Sequence, residues 1–170
     1  MDNLPYSVSE LADSVSAAAP QRYDLYLRRL RHWGSAGVLE TTGALHVGTG
    51  RARRFRTEQV YVAAVLLRLA DLGVSIGALK AVAQVIALER AKAGDTAALW
   101  EAAKRRRDAI EHGCVFAALS IAFDDAGEKP VSVSIRLVRG EEGLNTPKFY
   151  LQEDSIVVLN LTDIFGEVKL

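Results

Sequence analysis

The sequence predicts an α+β protein, helical over its first two thirds and built of antiparallel strands after that. Three observations carry this. Tyr23, Tyr26, Leu27, Leu30 and Trp33 fall on one side of a 3.6-residue period. Helix starts at Ser7, Pro20, Thr57 and Ser75 alternate with glycine stops at Gly34, Gly37, Gly73 and Gly94. Beyond Gly113 the texture changes, and Val131, Val133, Ile135 and Leu137 alternate with Ser132, Ser134 and Arg136, the period-two pattern of a half-buried strand.

The elements follow in order. Tyr6 to Ala12 opens a short first helix, with Ser7 and Glu10 at capping-box spacing. Ser14 to Ala19 is small and polar, and Pro20 marks a new start. The second helix covers about Gln21 to Trp33, with an apolar side and an opposite side that carries Arg28 and His32, flanked by Leu25 and Arg31. Leu45-His46-Val47, the turn Gly48-Thr49-Gly50 and the returning strand Arg51 to Arg56 make a hairpin. Thr57 caps a third helix to Leu72-Gly73, and Ser75 a fourth from Ile76 to about Ala93. Another helix follows Gly94-Asp95 to about His112, its terminal Lys104-Arg105-Arg106-Arg107 complementing the helix dipole. Cys114–Phe123, Ile156–Leu161 and the shorter Phe149–Leu151 are further strands, with turns at Asp125-Ala126-Gly127 and Gly140–Gly143.

Net charge does not announce a partner, because Lys+Arg and Asp+Glu tie at 21 each. Distribution does. Eight arginines (Arg22, Arg28, Arg29, Arg31, Arg51, Arg53, Arg54 and Arg56) fall between residues 22 and 56, against two acids, Asp24 and Glu40. A locally basic stretch in a neutral chain suits a phosphate-binding face. Cys114 is the single cysteine, so no disulfide or thiolate metal cluster forms within the chain, and its apolar run predicts a buried, inert thiol. The start has no signal-peptide pattern and no apolar run approaches the ~20 residues of a membrane span. A cytoplasmic, nucleoid-associated protein is expected.

Five pieces occur in order: Ser7-Val8-Ser9-Glu10-Leu11-Ala12, Leu30-Arg31-His32-Trp33, Gly37-Val38-Leu39, Arg54-Phe55-Arg56-Thr57-Glu58-Gln59-Val60 and Leu72-Gly73-Val74-Ser75-Ile76. Together they resemble the MerR family of transcription regulators, over about half the chain. The resemblance implies an N-terminal winged helix-turn-helix DNA-binding domain over residues 1–85; connecting and dimerisation helices are expected over 86–112, and the change of texture at Gly113 marks a β-rich effector or interaction domain over 113–170. It also implies that Arg31 and Arg54 match the family's helix and wing arginines, which touch DNA. A helix in the major groove reads base edges, and arginines hold phosphates. The candidate DNA-binding residues are therefore Arg22, Tyr23, Arg28, Arg31 and His32 from the second helix and Arg51, Arg53, Arg54 and Arg56 from the wing. Tyr23 lies toward the apolar side, and Trp33 and Phe55 belong to the core. Metal-sensing members carry a cysteine cluster that Cys114 alone cannot supply.

Double-stranded DNA, a second copy of the chain and RNA polymerase are the expected partners, with no membrane and no cofactor. The leading reading is a dimeric, sequence-specific transcription regulator. An excisionase-like or architectural DNA-bending factor and a non-DNA protein-interaction module are the alternatives. No catalytic triad, phosphate-cradling loop or paired carboxylates stand out, so an enzyme is not expected. Asp124–Glu128 lacks the spacing of a calcium loop, and Asn160-Leu161-Thr162 matches a glycosylation acceptor only by chance.

Overall fold

The first helix begins where its capping residues require. In the computed structural model, which describes residues 5–42, 53–92, 94–105, 111–124, 130–140 and 156–170, the Ser7 amide donates to Glu10 Oε2 at 2.7 Å and the Glu10 amide to Ser7 Oγ at 3.2 Å. Two amides without helical partners are thereby satisfied. Helix α1 spans Val8–Ser16. Ser14 and Ser16, from the small, polar stretch expected to follow the helix, are instead part of it and buried, small enough for close packing. The chain is α+β and divides into two compact units, Met1–Leu72 with Glu167–Leu170, and Gly73–Gly166.

In the first unit a 3₁₀ turn at Pro20–Arg22 leads into α2, Tyr23–Ala36. Gly34 does not stop this helix. A glycine within a helix costs ~1 kcal/mol relative to alanine, but here it permits a close approach, since a Cβ at Gly34 would stand 3.1 Å from Phe55 Cζ. The helix ends instead at Gly37, whose left-handed backbone (φ 66°, ψ 32°) turns the chain so that the Val38 amide reaches the Trp33 carbonyl at 2.9 Å. Tyr6 and Phe55 exchange both backbone hydrogen bonds, at 2.7 and 2.8 Å, and the Thr42 amide donates to the Arg54 carbonyl at 2.8 Å. The returning strand is thus held on two sides. The rest of the expected hairpin, including His46 and Arg51, lies outside the described residues.

Helix α3 spans Thr57–Asp71. Its N-cap is Arg56 rather than Thr57, because the extended backbone of the strand (φ −73°, ψ 156°) persists through Arg56 and gives way at the next residue. Buried Gln59 finds a partner in the Glu40 amide, which donates to its Oε1 at 3.1 Å. Helix α1 packs against α2 and α3. Leu11, Tyr26, Leu30, Trp33 and Phe55 are buried. The C-terminal residues join this unit through an Arg68–Glu167 ion pair and a 3.1 Å hydrogen bond from the Lys169 amide to the Ser14 carbonyl.

The second unit carries α4 (Ile76–Ala91) and α5 (Asp95–Ala103). Ser75 Oγ caps α4 by accepting from the Ala78 amide at 3.4 Å. Strands β1 (Val115–Phe123), β2 (Pro130–Arg139) and β3 (Ile156–Asn160) form one sheet in the order β2-β1-β3, with β1 antiparallel to both neighbours. Leu119 stands opposite Ile135 and Val157. Helices α4 and α5 pack on β2, and α5 also on β1. On β2, Ser132, Ser134 and Arg136 are exposed while Leu137 is buried. Cys114 is half-buried, more open than its apolar context suggested, because it precedes β1 in the turn from Gly113.

Leu161 does not extend the third strand. It begins α6, Leu161–Gly166, which packs on α5 and β1. Asn160 ends the strand and caps the helix in one residue. Its Oδ1 accepts from the Asp163 amide at 3.2 Å, and its Nδ2 donates to Asp163 Oδ2 at 2.8 Å. Trp100 on α5 and Phe165 on α6 meet edge to face, 4.9 Å between centroids, and Arg90 lies over Trp100 at 5.5 Å. The expected strand Phe149–Leu151, the turn at 125–127 and Arg106 and Arg107 lie outside the described residues.

Two stability outcomes follow. Gly34→Leu overpacks the contact with Phe55 and lowers unfolding free energy by ~1–3 kcal/mol, measured by urea titration; an unchanged midpoint would show that Phe55 yields freely. Asn160→Ala removes the cap of α6 and costs ~1 kcal/mol, read from the melting temperature of the full chain.

Candidate nucleic-acid interface

Helix α2 has two differently equipped sides. Tyr26, Leu30 and Trp33 are buried on one. Asp24, Arg28, Arg31, His32 and Ser35 are exposed on the other, at the spacings that place residues on one helix face. Among the described residues the exposed side chains of Arg28, Arg31 and His32 make no hydrogen bond or ion pair. Asp24 sits in the first turn, where a carboxylate suits the helix dipole.

The strand after the undescribed segment continues this basic surface. Strand alternation turns Phe55 inward and leaves Arg54 and Arg56 exposed. Arg53 lies half-buried beside α2, and its Nη1 donates to Ser35 Oγ at 3.2 Å. That bond ties the helix face to the strand. Arg54 Nη1 donates to the Pro5 carbonyl at 3.3 Å and approaches Glu10 Oε2 at 3.5 Å.

Glu10 is held below the ordinary glutamate pKa of 4.5. The main cause is the Ser7 amide donating to its carboxylate, then the Ser7 hydroxyl, with the Arg54 charge a smaller pull and burial opposing. The carboxylate therefore serves the cap of α1 and an arginine of the basic strand together.

Not all the candidate residues share the open face. Arg22 lies toward the opposite side of α2, ion-paired with Asp71 and hydrogen-bonded to the Tyr26 hydroxyl at 3.4 Å. The tyrosine hydroxyl and then the Asp71 charge raise its pKa further. Tyr23 is half-buried. Arg28, Arg31, His32, Arg53, Arg54 and Arg56 form the exposed helix face and the strand beside it, and Arg51 lies outside the described residues. The sequence did not single out Arg29, Ser35, Glu10 or Asp71 for the site. Glu10 was legible as a capping residue, but its bond to Arg54 spans 44 residues, and Arg29 meets Asp71 across 42. No local pattern carries pairings of that separation.

Among the described residues no three His, Cys, Asp or Glu side chains gather as metal ligands would, and no helix is long and apolar enough to cross a membrane. No family model and no curated protein matches the chain.

The Glu10 cap carries a pH signature. Because its folded-state pKa is depressed, its stabilisation is present above the unfolded value and lost as pH falls through the folded one. The melting-temperature gap between wild type and Glu10→Gln is therefore full well above the ordinary glutamate value of 4.5 and shrinks as pH falls below it, through the depressed folded-state value. A gap that stays constant on acidification below that value would remove the charge from the account.

Proposed function

We propose that the chain binds double-stranded DNA through α2 and the arginine strand beside it, as a dimeric, sequence-specific transcription regulator rather than an enzyme. The observation that carries this reading is the exposed face of α2, where Arg28, Arg31 and His32 make no bond among the described residues and continue through Ser35–Arg53 to Arg54 and Arg56. Exposed cations that are not tied into ion pairs retain their attraction for an external anion.

The chemistry fits a duplex. A helix of α2's length, 14 residues, extends ~21 Å and can lie in the major groove with α1 packed behind it. Arginine offers a planar fork of donors that matches guanine O6 and N7 or a phosphate. In this arrangement Arg28, Arg31 and His32 reach toward base edges, while Arg53, Arg54 and Arg56 hold the backbone. The resemblance to MerR regulators supports the same assignment and adds the dimer, with RNA polymerase as a further partner. A twofold dimer would present two copies of α2 to half-sites about one helical turn apart, ~34–36 Å.

Binding to a random-sequence duplex pool at two salt concentrations tests the reading, followed by sequencing of the recovered duplexes. Affinity falls steeply with salt, and the recovered sequences contain an inverted repeat. Arg31→Ala weakens binding to a recovered duplex by ~1–3 kcal/mol, whereas Arg56→Ala weakens all duplexes alike and lowers the salt slope by about one. Absent or salt-independent binding would sink the reading.

A further inference from the structure

We propose that Asp71 is a positioning residue for DNA recognition, fixing the fine rotation of α2 about its own axis so that Arg28 and Arg31 keep their aim at the duplex while Arg22 and Arg29 stay on the carboxylate. The inference rests on the DNA-binding reading above and deepens it.

Asp71 is the last residue of α3. A carboxylate is poorly placed there, because the C-terminal end of a helix is already negative. Its neighbours supply the compensation. Arg22 donates to Asp71 Oδ2, the Tyr26 hydroxyl donates to the same oxygen at 3.2 Å, and Arg29 Nη1 donates to Oδ1 at 2.6 Å. One carboxylate thus receives three donors spaced i, i+4 and i+7 along a single stripe at the start of α2. The Asp71 and Arg29 side chains are 20% and 28% exposed, so solvent screens this contact less than an open surface pair.

The directional character matters most. Tyr26, Leu30 and Trp33 anchor α2 by apolar packing, which is close to indifferent to small rotations. Hydrogen bonds to a fixed carboxylate are not indifferent, because they weaken steeply when misaligned. Successive helix residues differ by ~100° in direction. Exchanging Arg28 for Arg29 would need a turn of that size, which the burial of Tyr26, Leu30 and Trp33 forbids, but a rotation of ~20° already swings a side-chain tip by ~2 Å and misaligns Arg28 and Arg31 with the bases they read. Asp71 opposes that rotation from the far side of the helix. The same contact draws two arginines away from the duplex, so that a basic helix presents few, defined cations.

Asp71→Asn keeps size and shape while removing the charge that holds Arg22 and Arg29. The test compares wild type and variant on two probes, a duplex recovered from the random pool and a scrambled duplex of the same composition. Melting temperature is followed in parallel. Positioning predicts that Asp71→Asn loses at least about tenfold of the discrimination between the probes, while affinity for the scrambled duplex holds or rises because one negative charge is gone. The conservative Asp71→Glu, which retains the carboxylate, restores most of the discrimination. If both affinities rise together, Asp71 merely withholds arginines and the proposal is overturned. If both fall together, its role is only structural, which overturns it equally.

If Asp71→Asn does not fold, Arg29→Gln removes one arm while leaving Arg22 and Tyr26 on the carboxylate. Lost discrimination supports positioning, and an equal loss on both probes rejects it. A wild-type protein that binds neither probe removes the DNA reading and the Asp71 role with it. Wild-type binding with unchanged discrimination in the variants removes the Asp71 role alone.

Discussion

The first unit depends on the burial of one aromatic ring in a short strand. Phe55 is 1% exposed, exchanges two backbone hydrogen bonds with Tyr6, and rests its ring against Gly34 of α2. These contacts bind the N-terminal segment, the second helix and the approach to α3 into one assembly. Once Phe55 is fixed inward, strand geometry fixes its neighbours. Arg54 and Arg56 point out, and Arg53 lies along α2 near Ser35. A packing event in the core therefore sets the direction of charge at the surface. Gly34 is part of the same device, since any side chain there would compete with the ring.

Charge in this unit is partitioned. Arg22 and Arg29 are drawn to Asp71, and Arg54 is shared between Glu10 and the Pro5 carbonyl. Arg28 and Arg31 are on the open face of α2. Arginine number therefore overstates the cations offered to a partner, and the internal acids decide which remain. Glu10 and Asp71 each perform a second task, the first capping α1 and the second satisfying a part-buried tyrosine hydroxyl. Acids brought in from outside the basic segment act here as anchors for some of its arginines.

The second unit is organised around β1. Val115, Ala117, Ala118, Leu119 and Ile121 are buried, as befits a central strand with a neighbour on each side. Thr162 of α6 binds this strand directly, its buried Oγ1 accepting from the Val115 amide at 2.9 Å. That bond pairs a backbone donor at the start of the strand that the sheet does not serve. Strand, cap and helix are thus joined within a few residues at Asn160–Thr162, where Asn160 both closes the ladder opposite Phe116 and starts the helix.

The sequence by itself determined the α+β class, the capping of α1 and α4, the strands β1 and β2, and the core positions of Trp33 and Phe55. Each of these rests on local physics, either the period of apolar residues or a side chain bonding to its own backbone three positions away. Asn160 and Asp163 carried a local signal too, but the apolar run Ile156–Leu161 obscured it, because a short run suits a strand and a helix start equally. Tertiary structure decided what local patterns cannot encode. Gly34 reads as a helix stop until Phe55, 21 positions later, fills the space beside it. Arg22 and Arg28 read as equivalent cations until Asp71 claims the first and not the second. Periodicity could tell which side of α2 is apolar, but only contacts between residues distant in sequence could tell which arginines are already spoken for.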